Sequence, residues 1–158
     1  MFRGIFQNTV DGKGRTSMPA KFREVLAERF ATDSFVITNS GPVDLGNGVF
    51  SRGLSIYPYP EWLLLEENVA KGVGFTFAQL NSIKRLILAP GVECAADKQG
   101  RVLIPPHLRT AAALERDIVF VGSQKKIEIW CQAEWEKVTS QAEKDFPADT
   151  QALAELGL

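Results

Sequence analysis

A chain of 158 residues can form one compact domain, or two half-size units that share a core. Its 45% hydrophobic and 23% charged residues are ordinary for a soluble globular protein, and no apolar run approaches the roughly 18–20 residues of a membrane span. The formal net charge of −1 advertises no polyanion partner for the chain as a whole, and two cysteines with one histidine argue against a disulfide scaffold and leave little for metal or nucleophilic chemistry.

In chain order the first feature is a strand-like run, Thr9-Val10-Asp11, that crosses a Gly-Arg step into Arg15-Thr16-Ser17-Met18. The step belongs to a phrase, D-G-K-G-R-T-S-M-P-A-K-F-R at 11–23, that returns as D-K-Q-G-R-V-L-I-P-P-H-L-R at 97–109. Asp11, Gly14, Arg15, Pro19 and Arg23 recur as Asp97, Gly100, Arg101, Pro105 and Arg109, all at an offset of 86. The chain therefore carries two copies of one supersecondary unit. A glycine between polar residues and a strand marks a tight turn that needs positive φ or close backbone approach. Pro19 and Pro105 each open a helix. Met18, Phe22, Val25, Leu26 and Phe30 trace the apolar face of the first, and Ile104, Leu108, Ala111 and Ala112 that of the second.

The repetition continues with drift. Phe35-Val36-Ile37-Thr38 aligns with Val119-Phe120-Val121-Gly122, and Ser55-Ile56-Tyr57 with Glu128-Ile129-Trp130. In that alignment the first repeat is eleven residues longer between its strands. The extra length is turn-rich, N-S-G-P-V-D-L-G-N-G, and is expected to be a mobile loop over 39–53, with no function assigned. Pro60 opens a helix carrying Trp62, Leu65 and Val69 that Gly72 closes, and Thr76-Phe77-Ala78-Gln79 is a capping-box pattern for the next, carried by Phe77, Leu80, Ile83 and Ile87. Ala89-Pro90-Gly91 ends it and hands over to the second repeat. A helix through Trp135, Val138 and Ala142 follows, then a short one capped by Asp149 and carrying Leu153 and Leu156.

Charge is unevenly placed. Residues 1–30 hold six Lys/Arg against three Asp/Glu, residues 84–109 five against two, and residues 134–158 two against six. Positive charge thus gathers around both copies of the phrase, where a polyanion could land. His107 falls on a helix and Cys94 and Cys131 in unrelated segments, so no nucleophile–base pair or zinc site is expected, nor any metal or cofactor. D-G-K-G-R lacks the glycine spacing and Lys-Ser/Thr ending of a phosphate-cradling loop. The expected class is not an enzyme. Tyr57, Tyr59, Trp62, Trp130 and Trp135 have no basic residues interleaved and read as core rather than as a stacking platform.

The repeated Asp-x-x-Gly-Arg has two readings on residues alone. Asp11 and Arg15 could form a local ion pair that only rigidifies a turn. Alternatively, two arginines projected from equivalent turns resemble the way symmetric readers meet duplex DNA, since the guanidinium fork binds phosphate or the acceptor edge of guanine bidentately. Arg23 and Arg109 sit on amphipathic helices, where they could simply solvate a face.

M-F-R-G at 1–4, D-G-K-G-R at 11–15, E-C-x-x-D-x-x-G-R at 93–101, I-P-P-x-L-R at 104–109 and E-I-W at 128–130 closely resemble the MraZ family, regulators encoded at the head of the bacterial division and cell-wall gene cluster. The resemblance runs from Met1 to about Trp135. It implies an α+β fold of two tandem SpoVT-AbrB-like swapped-hairpin units over 5–61 and 91–134, joined by a helical connector at 62–90 and followed by a helical segment at 135–158. These units would form a pseudo-dimeric barrel. It also implies a ring-like homo-oligomer that binds direct repeats in double-stranded promoter DNA, and the expected action is repression of its own operon. Two cysteines and an N-terminus without an apolar signal core make the cytoplasm the expected address, with nucleoid association expected of such a regulator. No membrane partner or small-molecule substrate is implied. By position, Lys13, Arg15 and Arg101 would contact DNA, with Gln99 able to read a base edge, and Asp11, Gly14, Asp97 and Gly100 would support the turns; apart from the resemblance, Arg3, Arg23 and Arg109 are candidates for secondary DNA contacts. Gln99 stands where the first repeat has Lys13, so the first repeat is expected to dominate affinity. The competing expectation is an oligomeric scaffold or antitoxin-like module without specific DNA binding.

Overall fold

The computed structural model describes residues 1–158. The first repeat supplies β1 (Ile5–Thr9), β2 (Arg15–Ser17), α1 (Ala20–Phe30), β3 (Ser34–Asn39), a small hairpin of β4 (Val43–Asp44) and β5 (Phe50–Ser51), and β6 (Leu54–Pro58). Two helices follow, α2 (Tyr59–Lys71) and α3 (Phe77–Ile83), the latter running into a π-helical turn at Lys84–Leu88. The second repeat supplies β7 (Val92–Ala95), β8 (Arg101–Leu103), α4 (Pro106–Ala111), β9 (Asp117–Ser123) and β10 (Lys126–Cys131), and the chain ends in α5 (Gln132–Asp145) and α6 (Thr150–Leu156). The fold is α+β.

The repeats exchange strands. The main sheet runs β1-β9-β10-β6-β3-β7, so β1 of the first repeat pairs with β9 of the second, and β7 of the second with β3 of the first. The halves meet where β10 pairs with β6, with Glu128 opposite Ser55. A separate two-stranded ribbon joins β2 to β8, with Thr16 opposite Val102. In both places the facing residues are equivalent positions of the two repeats, so a pseudo-twofold axis passes through Thr16–Val102 and Ser55–Glu128. A cluster of 17 buried residues draws Phe22, Phe35 and Ile37 from one repeat and Leu108, Ile118 and Phe120 from the other, so neither repeat has a core of its own.

Three expectations need correction. The sheet does not close into a barrel, since β1 and β7 are its two outer strands. Each turns away at its Gly-Arg step and enters the ribbon, whose buried Val102 and neighbouring Met18 and Ile104 join the core instead of sealing the sheet edge. Segment 39–53 holds an anchored hairpin where an irregular loop was expected. Its Ser51 hydroxyl donates to Glu134 Oε2 at 2.6 Å, its Ser40 N–H donates to the Gly53 carbonyl at 2.9 Å, and the Ser40 and Ser55 hydroxyls bond at 2.9 Å. The strand register also differs by one: Ser34 and Asp117 face equivalent partners, so Phe35–Thr38 matches 118–121 rather than 119–122.

The helix-closing and capping-box signals hold, while Pro19 and Pro105 stand at the N-cap rather than opening α1 and α4, and α2 opens at Tyr59, one residue before Pro60. Gly72 closes α2 in the left-handed region at φ 63°, and Thr76 and Gln79 form the reciprocal capping box of α3. Phe77, expected on the apolar face, is 80% exposed. The π-helical turn shifts the helix register, and its Leu86 and Ile87 carbonyls accept from the Asn39 and Thr38 side chains, which docks it on β3.

Thr16 is 3% exposed and its hydroxyl has no partner, where the other repeat has Val102. An unpaired buried hydroxyl costs roughly 1–3 kcal/mol, so Thr16→Val is expected to stabilise the fold by about 1 kcal/mol. The midpoint of urea unfolding checks this. A lower midpoint would mean that the hydroxyl is bonded.

Candidate nucleic-acid interface

The two turns of the doubled phrase have the same geometry. The Gly14 N–H donates to the Asp11 carbonyl at 3.0 Å and the Asp11 N–H to the Arg15 carbonyl at 2.9 Å, with Gly14 at φ 85°. At the second turn the Gly100 N–H donates to Asp97 and the Asp97 N–H to Arg101, both at 2.9 Å, with Gly100 at φ 80°. This is a three-residue turn closed by a bulge glycine, a conformation that disfavours any side chain at positions 14 and 100.

Each aspartate works with both oxygens. Asp11 Oδ1 accepts the Lys13 and Arg15 N–H groups at 2.9 Å, and Oδ2 accepts Arg15 Nε at 3.0 Å. Asp97 Oδ1 accepts the Gln99 and Arg101 N–H groups at 2.9 Å, and Oδ2 accepts Arg101 Nε at 3.3 Å. Nε is thereby fixed while the two Nη groups of each arginine carry no protein acceptor. The ion-pair reading and the projected-arginine reading are therefore compatible: the pair aims the fork. The pairs are exposed and add little to fold stability.

The Arg15 backbone N–H, joined by the guanidinium and the Lys13 N–H, holds the Asp11 carboxyl below the usual carboxylate range. The Arg101 and Gln99 N–H groups and the Arg101 side chain do the same for Asp97. A lowered folded-state value means that the carboxylates support their turns fully above the ordinary value of 3.8 and release them as pH falls through the lower one. The amide resonances of Lys13, Arg15, Gln99 and Arg101 are expected to titrate together below pH 3.8. Titration at the ordinary value would contradict the bonded geometry.

The ribbon places these parts on one face. Arg15 lies opposite Leu103 and Ser17 opposite Arg101, while Thr16 and Val102 point to the core. Arg15 and Arg101 are thus diagonal neighbours, within about 7–8 Å of each other on the outer face. The turns flank them at opposite ends: the Met18 N–H donates to the Gly100 carbonyl and the Ile104 N–H to the Gly14 carbonyl, each at 2.9 Å. Strand alternation could have identified the other outer-face residues, Ser17 and the 57% exposed Leu103. Lys98 was also missed. It occupies the place of Gly12, so the cation that Gln99 lacks stands one residue earlier and each turn holds one lysine and one arginine.

The remaining candidates lie outside the ribbon strands. Arg3 borders a hollow with Lys21, Glu24 and Glu28 of α1, whose lining includes no residue of either turn. Arg109 packs against Gly14 and Arg23 against Gly100, each on the turn of the other repeat. His107 Nε2 meets the Pro90 carbonyl at 3.1 Å, Cys131 precedes α5, and burial pushes the Cys94 thiol up. Four of the five aromatics form two equivalent packed pairs, Tyr57–Trp62 at 5.9 Å and Trp130–Trp135 at 6.3 Å, with Trp130 only 2% exposed; Tyr59, expected in the core, is exposed at the start of α2. No helix is long and apolar enough to cross a membrane.

A family model described as "MraZ protein, putative antitoxin-like" matches residues 87–156, the second repeat together with the C-terminal helices. The protein named "Transcriptional regulator MraZ" of Geobacter sulfurreducens is 63% identical over 158 residues, and that of Geobacter metallireducens 61%, each match covering all of both chains. The protein of that name from Desulfitobacterium hafniense is 38% identical, again over the full length of both. With identity of this order along the whole chain, this protein belongs to the MraZ family of transcriptional regulators.

Proposed function

We propose that the chain is a DNA-binding transcriptional regulator that grips double-stranded promoter DNA with the outer face of the β2–β8 ribbon. The observation that carries this reading is the pair of Asp-oriented arginines, Arg15 and Arg101, set on one ribbon face with their Nη groups unbonded. The major groove of B-DNA admits a two-stranded ribbon, and a free guanidinium fork matches the O6 and N7 acceptors of guanine. Lys13 and Lys98 then meet phosphates at the ribbon ends, with Gln99 reaching a base edge or backbone. Because the turns carry equal charge, any dominance of the first repeat rests on where its lysine points. The exchanged strands and pseudo-twofold ribbon support a swapped-hairpin, AbrB-like origin of the unit.

One unit with so few contacts binds weakly. Residues Val73, Phe75 and Phe77 in and after the α2–α3 turn are 84%, 56% and 80% exposed, which supports self-association into a homo-oligomer, ring-like as the family resemblance implies. Linked units on evenly spaced direct repeats gain about 10²–10⁴ in affinity. The regulated DNA is then the protein's own division and cell-wall promoter, on the nucleoid, and occupancy represses it. An antitoxin-like scaffold is the competing reading, favoured by the same exposed apolar turn. Gel shift with the DNA upstream of its own operon, across a salt series, separates them. The DNA reading expects steep loss of binding as salt rises, and no binding at low salt would sink it.

A further inference from the structure

We propose that Arg23 and Arg109 are positioning residues that brace the two DNA-reading turns in trans, the arginine of each repeat holding the Asp-x-x-Gly-Arg turn of the other. A Cβ placed on Gly14 would stand 2.6 Å from Arg109 Cζ, 2.7 Å from Nε and 2.9 Å from Nη1. On Gly100 it would stand at the same three distances from Arg23. Three guanidinium atoms nearly equidistant from one point put the fork broadside on the glycine. Arg109 is half-buried and its Nε is closed off without an acceptor, whereas Arg23 is exposed; neither arginine forms an ion pair with a carboxylate. Packing on the turn is what holds them.

The chain path explains the crossing. The Ile104 N–H bonds to the Gly14 carbonyl, and the Arg109 N–H to the Pro105 carbonyl at 3.0 Å, so β8 delivers the first turn of α4 onto the turn of the first repeat. Met18 to Gly100 and Arg23 to Pro19 at 3.2 Å repeat the path with the repeats reversed. The doubled phrase thus has two halves with separate tasks. Its Asp-x-x-Gly-Arg reads, and its Pro-x-x-x-Arg braces the reader in the other copy. Glycine at 14 and 100 provides the room as well as the positive φ.

This inference rests on the DNA-binding reading, and it is tested by Arg109→Met and Arg23→Met in the full chain. Without DNA, Arg109→Met is expected to shift the amide resonances of residues 12–15 more than those of 98–101, and Arg23→Met the reverse. With promoter DNA, Arg109→Met is expected to weaken binding about tenfold, within the coupling range of residues in contact. That loss should vanish in an Arg15→Ala background and persist in Arg101→Ala. The slope of binding against salt should not change, and Arg109→Lys should not rescue, because lysine has charge but no plane. A direct phosphate contact would instead lower the slope by about 0.9 and be partly rescued by lysine. That result, or coupling of Arg109 to Arg101 rather than Arg15, would overturn the proposal. If the wild-type chain binds no promoter DNA, the function reading falls and the amide pattern alone upholds or overturns the brace.

Discussion

Replacing Arg15 and Arg101 together by alanine is expected to abolish promoter binding while leaving the fold intact. Each arginine offers a free fork at the centre of the ribbon face, and loss of one such contact weakens binding by roughly tenfold to a hundredfold. The double variant loses about 10²–10⁴ per unit, and more in an assembly that engages several sites at once. There is a second cost. Asp11 and Asp97 remain when their arginines go, so each turn drops from a net positive charge to none and presents an unpaired carboxylate to the phosphates. Arg15→Lys should recover part of the phosphate attraction and little base discrimination. Gel shift with matched thermal melts checks both halves, because exposed ion pairs of this kind hardly affect stability. Undiminished binding by the double variant would remove these arginines from the interface.

Phe2→Ala is expected to be the most damaging single core truncation near the N-terminus, at about 3–5 kcal/mol. Phe2 is fully buried, stacked on Phe30 at 5.6 Å and edge-on to Phe22 at 5.7 Å. The residues around it are stitched to the end of β9: the Phe2 N–H donates to the Gln124 carbonyl at 2.7 Å, and the Gly122 N–H to the Gly4 carbonyl at 2.8 Å. Gly122 has no room for a Cβ, which would stand 2.6 Å from the Phe2 carbonyl carbon. The N-terminal residues of the first repeat therefore close the core over a strand of the second. At roughly 2–4 °C per kcal/mol for a chain of this size, melting should fall by more than about 6 °C. A shift under 2 °C would mean that Phe2 is not packed as described.

The turns were legible because their chemistry is local. Asp11, Gly14 and Arg15 meet within five residues, so the side-chain oxygen, the bulge glycine and the fork can be placed without knowing the rest of the fold. Helix ends at Gly72, Thr76 and Asp149 were readable for the same reason. Strand exchange was not, since β3 and β9 are similar apolar runs and either could receive β1. The resemblance suggested exchange, but also a closed barrel that the outer positions of β1 and β7 contradict. The β9 register slipped because α4 spans 6 residues against 11 in α1, so an alignment anchored on the phrase has to absorb a gap without a local mark.

Segment 39–53 shows the same limit. Two-residue strands have no periodicity to detect, and the contact that fixes them, Ser51 to Glu134, spans 83 positions. The trans placement of Arg23 and Arg109 was equally hidden: sequence proximity ties Arg109 to Arg101, while the ribbon hydrogen bonds tie it to Gly14. Lys98 was readable and was missed, because comparing Gln99 with Lys13 alone ignores the preceding position of the turn.

The most direct test of the central claim is hydrogen exchange of the full chain with and without a promoter duplex. Protection is expected to rise together over residues 11–17 and 97–103, from both repeats at once, with little change in α2. Protection confined to one repeat, or to the exposed apolar residues between α2 and α3, would contradict a ribbon that reads DNA with both of its turns.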